Sequence, residues 1–160
     1  MGDNLKTVLV IGYGNDLRSD DAVGQKVANA IAAWKLPHVT SLCVHQLTPE
    51  LAAFLANTEL AIFIDACFTS VCEDVRVQPI APSNSTTAIG GHTSDPRSLL
   101  ALTQALYNRV PNAWWVTIPG TNFELGDRLS PIAERGMQVA LGQINHSIEL
   151  GKVELCTKLE

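Results

Sequence analysis

Lys6-Thr-Val-Leu-Val-Ile-Gly-Tyr-Gly-Asn-Asp-Leu-Arg-Ser-Asp-Asp-Ala-Val-Gly24 is the stretch whose reading decides the fold. Thr7 to Ile11 is a continuous apolar run rich in Val and Ile and bounded by Gly12 and Gly14, the pattern of a strand buried on both faces in a parallel sheet. The two glycines allow a sharp turn and a close approach to another backbone. Ser19, Asp20 and Asp21 stand where a helix should begin, and Val23, Val27, Ala30, Ile31 and Trp34 follow at helical spacing. A dinucleotide-binding turn is excluded twice over. The third glycine of that fingerprint is replaced by Leu17, and two carboxylates occupy the helix start that a phosphate would need. A strand, a glycine turn and paired acids point to a cation instead. One of the two acids, Asp20 or Asp21, is expected to be a helix cap, which leaves the other to meet the cation.

The rest of the chain repeats the rhythm. His38 to His45 reads as a second strand, with Cys43 as a small core residue on it. Thr48-Pro49-Glu50 starts a short helix through Leu51, Phe54 and Leu55, and Leu60 to Asp65 is a third strand ending on the acid. Strand, helix, strand, helix, strand predicts an α/β fold. Glu73 to Ile80 alternates polar and apolar and predicts an edge strand with one wet face. The polar stretch 81–91 is a loop. Asp95-Pro96 opens a helix whose inner face carries Leu99, Leu102, Thr103 and Leu106. Ala113 to Ile118 is the last major strand, with Trp114 and Trp115 on opposite faces, and Ser130-Pro131 opens a final helix striped with Ala133, Met137, Ala140, Leu141, Ile144 and Ile148. The expected architecture is one three-layer α/β domain over residues 1–160: a mostly parallel twisted sheet of about five strands with an edge strand, and helices on both faces. Lys158-Leu-Glu160 is set aside as tag-like.

Composition narrows the function. With 160 residues, 46% of them hydrophobic and 17% charged, the chain fits a single globular domain with a real core. A net charge of −5 argues against non-specific nucleic-acid binding and against an anionic membrane surface. There is no bilayer-length apolar run and no signal-peptide pattern, so a cytoplasmic protein without membrane or nucleic-acid partners is expected. Cys43, Cys67, Cys72 and Cys156 lack zinc-finger spacing and are expected as reduced thiols.

Ligands of open α/β sheets bind at the carboxyl ends of the strands. Asp21 follows strand one, Asp65 ends strand three, and His92 lies in the polar loop after Gly90-Gly91. All three can reach one rim. Two carboxylates and an imidazole suit a borderline divalent ion such as nickel or zinc with coordination positions left open.

The sequence also resembles the nickel–iron hydrogenase maturation endopeptidases. Gly12-Tyr-Gly14-Asn15-x-Leu17-x-x-Asp20-Asp21-x-x-Gly24 is similar to the family's opening signature, and Ile118-Pro119-Gly-Thr-Asn-Phe-Glu124-Leu-Gly126-Asp-Arg-Leu129-Ser130-Pro131-x-x-Glu134 to its late one. The resemblance implies that Asp21, the second acid of the pair, Asp65 and His92 are the metal-contacting and catalytic residues, which leaves Asp20 as the helix cap or an assisting base. It implies a partner, the hydrogenase large-subunit precursor, whose C-terminal extension is removed after nickel insertion. The nickel would arrive with the substrate, leaving a metal-free resting enzyme. One segment departs: where many members carry Asp-Gly-Gly-Thr-x-Gly, this chain has His45-Gln46-Leu47-Thr48-Pro49-Glu50, which bears on the hydrogenase class processed and on any mechanism needing an Asp there. No Ser–His–Asp order, Cys–His pair or His-Glu-x-x-His motif offers another hydrolytic route. Either the metal polarises the scissile carbonyl or water, or the metal serves recognition while a carboxylate is the general base. A non-catalytic nickel-binding accessory protein and a metal-assisted hydrolase of a small substrate remain the alternatives.

Overall fold

A computed structural model describes residues 6–84 and 95–150. The elements are β1 (Val8–Tyr13), a 3-10 turn (Ser19–Ala22), α1 (Val23–Ala32), β2 (Val39–Val44), α2 (Leu51–Ala56), β3 (Leu60–Phe68), β4 (Arg76–Ile80), α3 (Pro96–Tyr107), β5 (Asn112–Gly120) and α4 (Pro131–Leu150). The strands form one sheet in the order β2-β1-β3-β5-β4, all parallel except β4, which runs antiparallel to β5 at the edge. The α/β class, the mostly parallel five-stranded sheet and the edge strand are as the sequence predicts. No described helix is long and apolar enough to cross a membrane.

Side-chain alternation along the central strands divides the core. Val8, Val10, Leu60, Ile62, Ile64, Val116 and Ile118 pack with α1 and α4. Leu9, Ile11, Tyr13, Ala61 and Phe63 pack on the other face with α2 and α3. Each Val, Leu, Ile or Phe among them, fully buried, is worth about 1.5–3 kcal/mol relative to exposure. Trp114 and Trp115 lie against opposite faces as their adjacency requires, and both stay partly exposed. The α4 stripe packs inward as expected.

Four expectations need correction. Strand β3 does not end at Asp65. It runs on to Phe68, because β5 continues alongside and pairs Asp65 with Thr117 and Phe68 with Gly120. Cys43 is exposed, since β2 is an edge strand. Its thiol meets the Gln25 carbonyl and Asn29 Oδ1 at 3.3 and 3.0 Å. Leu106 is 62% exposed, because the last turn of α3 runs past its packing partners. Finally, neither acid of the pair caps α1. The helix start, Ala22, makes no side-chain cap bond, and Ser19–Ala22 form the separate 3-10 turn.

The glycines of the opening stretch have a specific cause. A Cβ on Gly12 would collide with the Gly24 carbonyl, and a Cβ on Gly24 would collide with the carbonyl of Ile64, so β1, β3 and α1 meet backbone to backbone. Gly24→Ala must therefore push α1 off the sheet. We expect a loss of about 1–3 kcal/mol, read as a urea midpoint lower by roughly 0.5–1.5 M. An unchanged midpoint would show that α1 can shift freely.

Candidate active site

Strands β2 and β1 lie on one side of the β1–β3 boundary, and β3, β5 and β4 on the other. Chain direction across the sheet reverses at the β1–β3 boundary, and such a point opens a crevice at the strands' carboxyl ends. The β1–β3 pairing stops at Gly12–Ile64. Asp65 is the next residue of β3, and Tyr13 the next of β1. By alternation both point to the α2/α3 side, as Leu9, Ile11, Ala61 and Phe63 do.

Asp21 is brought to this crevice by the turn after β1. Gly14 has φ +143°, a conformation open to glycine, and its Cα lies against the Asp21 backbone. The Asn15 N–H donates to Asp21 Oδ2 at 2.7 Å, and Asn15 Oδ1 accepts from the Leu17 N–H at 2.9 Å. Gln25 Nε2 donates to the carbonyls of Gly14 and Val44 at 2.7 and 2.9 Å, tying the turn to β2.

Asp65 is partly buried and accepts the Ala66 N–H at 2.8 Å. Burial pushes its carboxyl up to about 7; the Ala66 N–H opposes this, the nearby Asp21 charge adds to it, and Tyr13 opposes it. The Tyr13 hydroxyl and the Trp115 indole N–H are buried without a well-formed hydrogen bond. Burial, followed by the Asp65 charge, raises the phenol well above its ordinary value, so it stays protonated. The site therefore holds two carboxylates that repel each other and have no ion-pair partner among the described residues. That donor set fits a cation brought from outside.

Asp20 stands apart. It is fully buried, and its carboxylate accepts from the Thr121 and Asn122 N–H groups at 2.8 and 3.0 Å, from the Ser130 N–H at 2.7 Å and from the Ser130 hydroxyl at 2.6 Å. Burial alone would raise its pKa. The Ser130 hydroxyl and the three N–H groups more than offset that and hold it below the ordinary carboxylate range. Ser130 in turn accepts the Ala133 N–H at 3.3 Å, as an N-cap does, with Pro131 in the first turn. Asp20 thus places its charge at a helix start, but at that of α4 rather than α1. With four donors upon it and a depressed proton affinity, it is built to hold the rim together.

The structure brings Asp21 and Asp65 together. His92 lies outside the described residues, as do Cys156 and Lys158-Leu-Glu160. Among the described residues, no three His, Cys, Asp or Glu side chains gather as a metal-holding group. Sequence reasoning assigned no role to Tyr13 or Gln25. Tyr13 could have been found by counting in twos from Leu9, which puts it on the face of Phe63 and Asp65; Gln25 had no comparable signal. A groove of about 430 Å3 lined by Lys6, Leu60, Pro79, Asn112 and Trp114 lies at the opposite ends of β3 and β5 and contains neither acid.

No protein-family model and no curated protein matches the chain. Solved structures do. The nickel–iron hydrogenase maturation protease HycI from Thermococcus kodakarensis superposes with a TM-score of 0.69 at 20% identity, covering 91% of this chain and 95% of that one. The hydrogenase maturating endopeptidase HybD from E. coli gives 0.69 at 22% identity over 92% and 94%. A hydrogenase 2 maturation peptidase from a Thaumarchaeota archaeon gives 0.68 at 20% identity over 91% and 99%. The fold is the one these maturation proteases have, and the likeness spans nearly the whole of each chain.

Proposed function

We propose that this chain is an endopeptidase that removes the C-terminal extension of a nickel–iron hydrogenase large-subunit precursor after nickel insertion. The observation that carries the proposal is the pair Asp21 and Asp65, unneutralised, at the chain-reversal crevice of a fold shared with solved hydrogenase maturation proteases. The signature residues around Gly12–Gly24 and Ile118–Glu134 support the same reading.

In this reading nickel belongs to the substrate. Asp21, Asp65 and His92 meet it, and the bound ion supplies positive charge beside the scissile peptide. Asp21 is fixed by the Asn15 N–H as a ligand of set orientation. In the route where a carboxylate is the general base, Asp65, whose proton affinity burial raises in the metal-free protein, takes a proton from the attacking water and returns it to the leaving amine. The phenol of Tyr13, kept protonated, faces this carboxyl and steadies its ionised form.

The test is the intact mass of a purified nickel-loaded precursor incubated with this protein and with its Asp21→Asn variant, beside a nickel-free precursor. Loss of a C-terminal peptide only with nickel and only with the unmodified protein is the expected result. Asp21→Asn should slow cleavage at least about a hundredfold. Nickel-dependent binding without any cleavage would leave the accessory-protein alternative, to which the changed segment His45–Glu50 lends its weight.

A further inference from the structure

Four large apolar side chains stand in solvent on the loops that surround the two acids. Leu17, after β1, is 64% exposed, and Leu125, after β5, is 84% exposed. Phe68 and Val71, where β3 ends and turns, are also exposed. They are not on loose chain. The Leu17 carbonyl accepts the Gly126 N–H at 2.9 Å, and the Gly126 carbonyl accepts the Ser19 N–H at 2.9 Å, so the loops of Leu17 and Leu125 run side by side. Ser19 Oγ donates to the Glu124 carbonyl at 2.7 Å, and Arg18 Nε to that of Phe123 at 2.9 Å. The Phe68 and Phe123 rings meet with centroids 4.4 Å apart, and the Thr69 N–H donates to the Gly120 carbonyl at 3.2 Å. The Val71 and Cys72 N–H groups close the turn on the Phe68 carbonyl at 2.8 and 3.0 Å.

Apolar side chains left in solvent on loops that hydrogen bonds tie together gain little from folding, and a cluster of exposed apolar groups of this kind marks an interaction surface. We propose that Leu17, Phe68, Val71 and Leu125 form the surface on which the folded body of the protease's protein substrate docks, so that recognition extends beyond the peptide that is cut. This rests on the endopeptidase reading above and adds the partner surface to it. The occupant follows from what the patch adjoins. The rim is continuous with two acids that have no cationic partner among the described residues, so whatever covers it brings positive charge to its centre. Exposed apolar side chains on loops beside an acidic crevice fit a folded protein that presents both apolar surface and a cation, rather than a small polar solute.

The experiment uses the full chain as Leu17→Ser/Leu125→Ser, with Leu106→Ser as control. Leu106 is 62% exposed, at the end of α3 that leads into the start of β5 and away from the rim. Binding to an immobilised nickel-loaded large-subunit precursor and cleavage over a range of precursor concentrations are measured, with sedimentation to give each protein's oligomeric state. The expected result is a Kd and KM raised at least about tenfold in the double variant, with kcat at saturation and melting temperature unchanged and the control unaffected. Unchanged Kd and KM with normal cleavage would overturn the docking surface and leave the endopeptidase reading intact. Binding lost in the double variant, while the unmodified protein binds but does not cut, would support the docking surface and overturn the endopeptidase. A dimer that the double substitution dissociates would assign the patch to a second copy of this chain and overturn the proposal, as would failure of the unmodified protein to bind the precursor at all.

Discussion

Asp65→Asn will sharply slow the proposed precursor cleavage and, at the same time, make the folded protein more stable above neutral pH. The two effects have one cause. The folded chain holds the Asp65 carboxyl at about 7, against 3.8 for the free group, chiefly through burial. Between those values the folded state keeps a proton that the unfolded state has released. Stability contributed by this group therefore falls as pH rises from about 4 to about 7, and stays low above that. Asparagine has no charge to bury. The variant should match the unmodified protein near pH 4 and exceed it at pH 8 by at least about 1 kcal/mol, or about 2–4 °C in Tm, after discounting for the partial exposure of the site. On the proposed endopeptidase reading the ionised form takes a proton from water, so the unmodified rate should rise with pH as the carboxyl ionises. The variant rate should be lower by about a hundredfold to ten-thousandfold. Paired denaturation curves at pH 4 and 8, with a pH–rate profile, decide it. A variant that is less stable at pH 8 would sink the account of Asp65 as a carboxyl under strain.

Asp20→Ala has the opposite sign and a larger effect on the fold. It removes the acceptor for Thr121, Asn122 and both donors of Ser130 at once. Each buried donor left without a partner costs about 1–3 kcal/mol, and water entering the gap relieves part of the sum, so we expect a loss of at least about 3 kcal/mol. The loss should be seen first as fast amide exchange at Thr121, Asn122 and Ser130. Asp20→Asn keeps one oxygen acceptor and should cost less. The pH dependence follows the depressed carboxylate: its stabilisation is present above the free-acid value and is lost as pH falls through the lower, folded value. In Asp20→Asn that acid-side loss disappears. A cost below about 1 kcal/mol for Asp20→Ala would mean that the rim is held by something else.

Side-chain periodicity made the layers legible. The runs Thr7–Ile11 and Leu60–Ile64 could only be strands covered on both faces, and the α4 stripe at helical spacing could only be one side of a packed helix. Boundaries were less legible, because a strand ends where its neighbour stops pairing. Asp65 reads as a strand end in sequence, yet β5 draws β3 three residues further. Cys43 reads as core because its strand is apolar, yet the strand is an edge. The position of Asp21 and Asp65 at one rim of the sheet was legible because each follows an apolar strand at its carboxyl end. By local pattern alone Asp20 and Asp21 are adjacent acids at one helix start. The difference between them depends on residues more than a hundred positions away.

Local chemistry therefore determined the α/β class, the mostly parallel sheet, the face each strand residue presents and the rim to which the acids belong, since these follow from periods of two and 3.6 residues and from glycines that only close backbone contact requires. Tertiary structure decided what each acid does. It gave Asp20 four donors from the β5–α4 loop and Ser130, which hold it ionised and structural. It gave Asp65 a buried place beside Asp21 without a compensating cation among the described residues, which holds its proton near neutrality. Solvation and the positions of distant donors set a carboxylate's proton affinity, and neither is a property of the residues next to it in the chain.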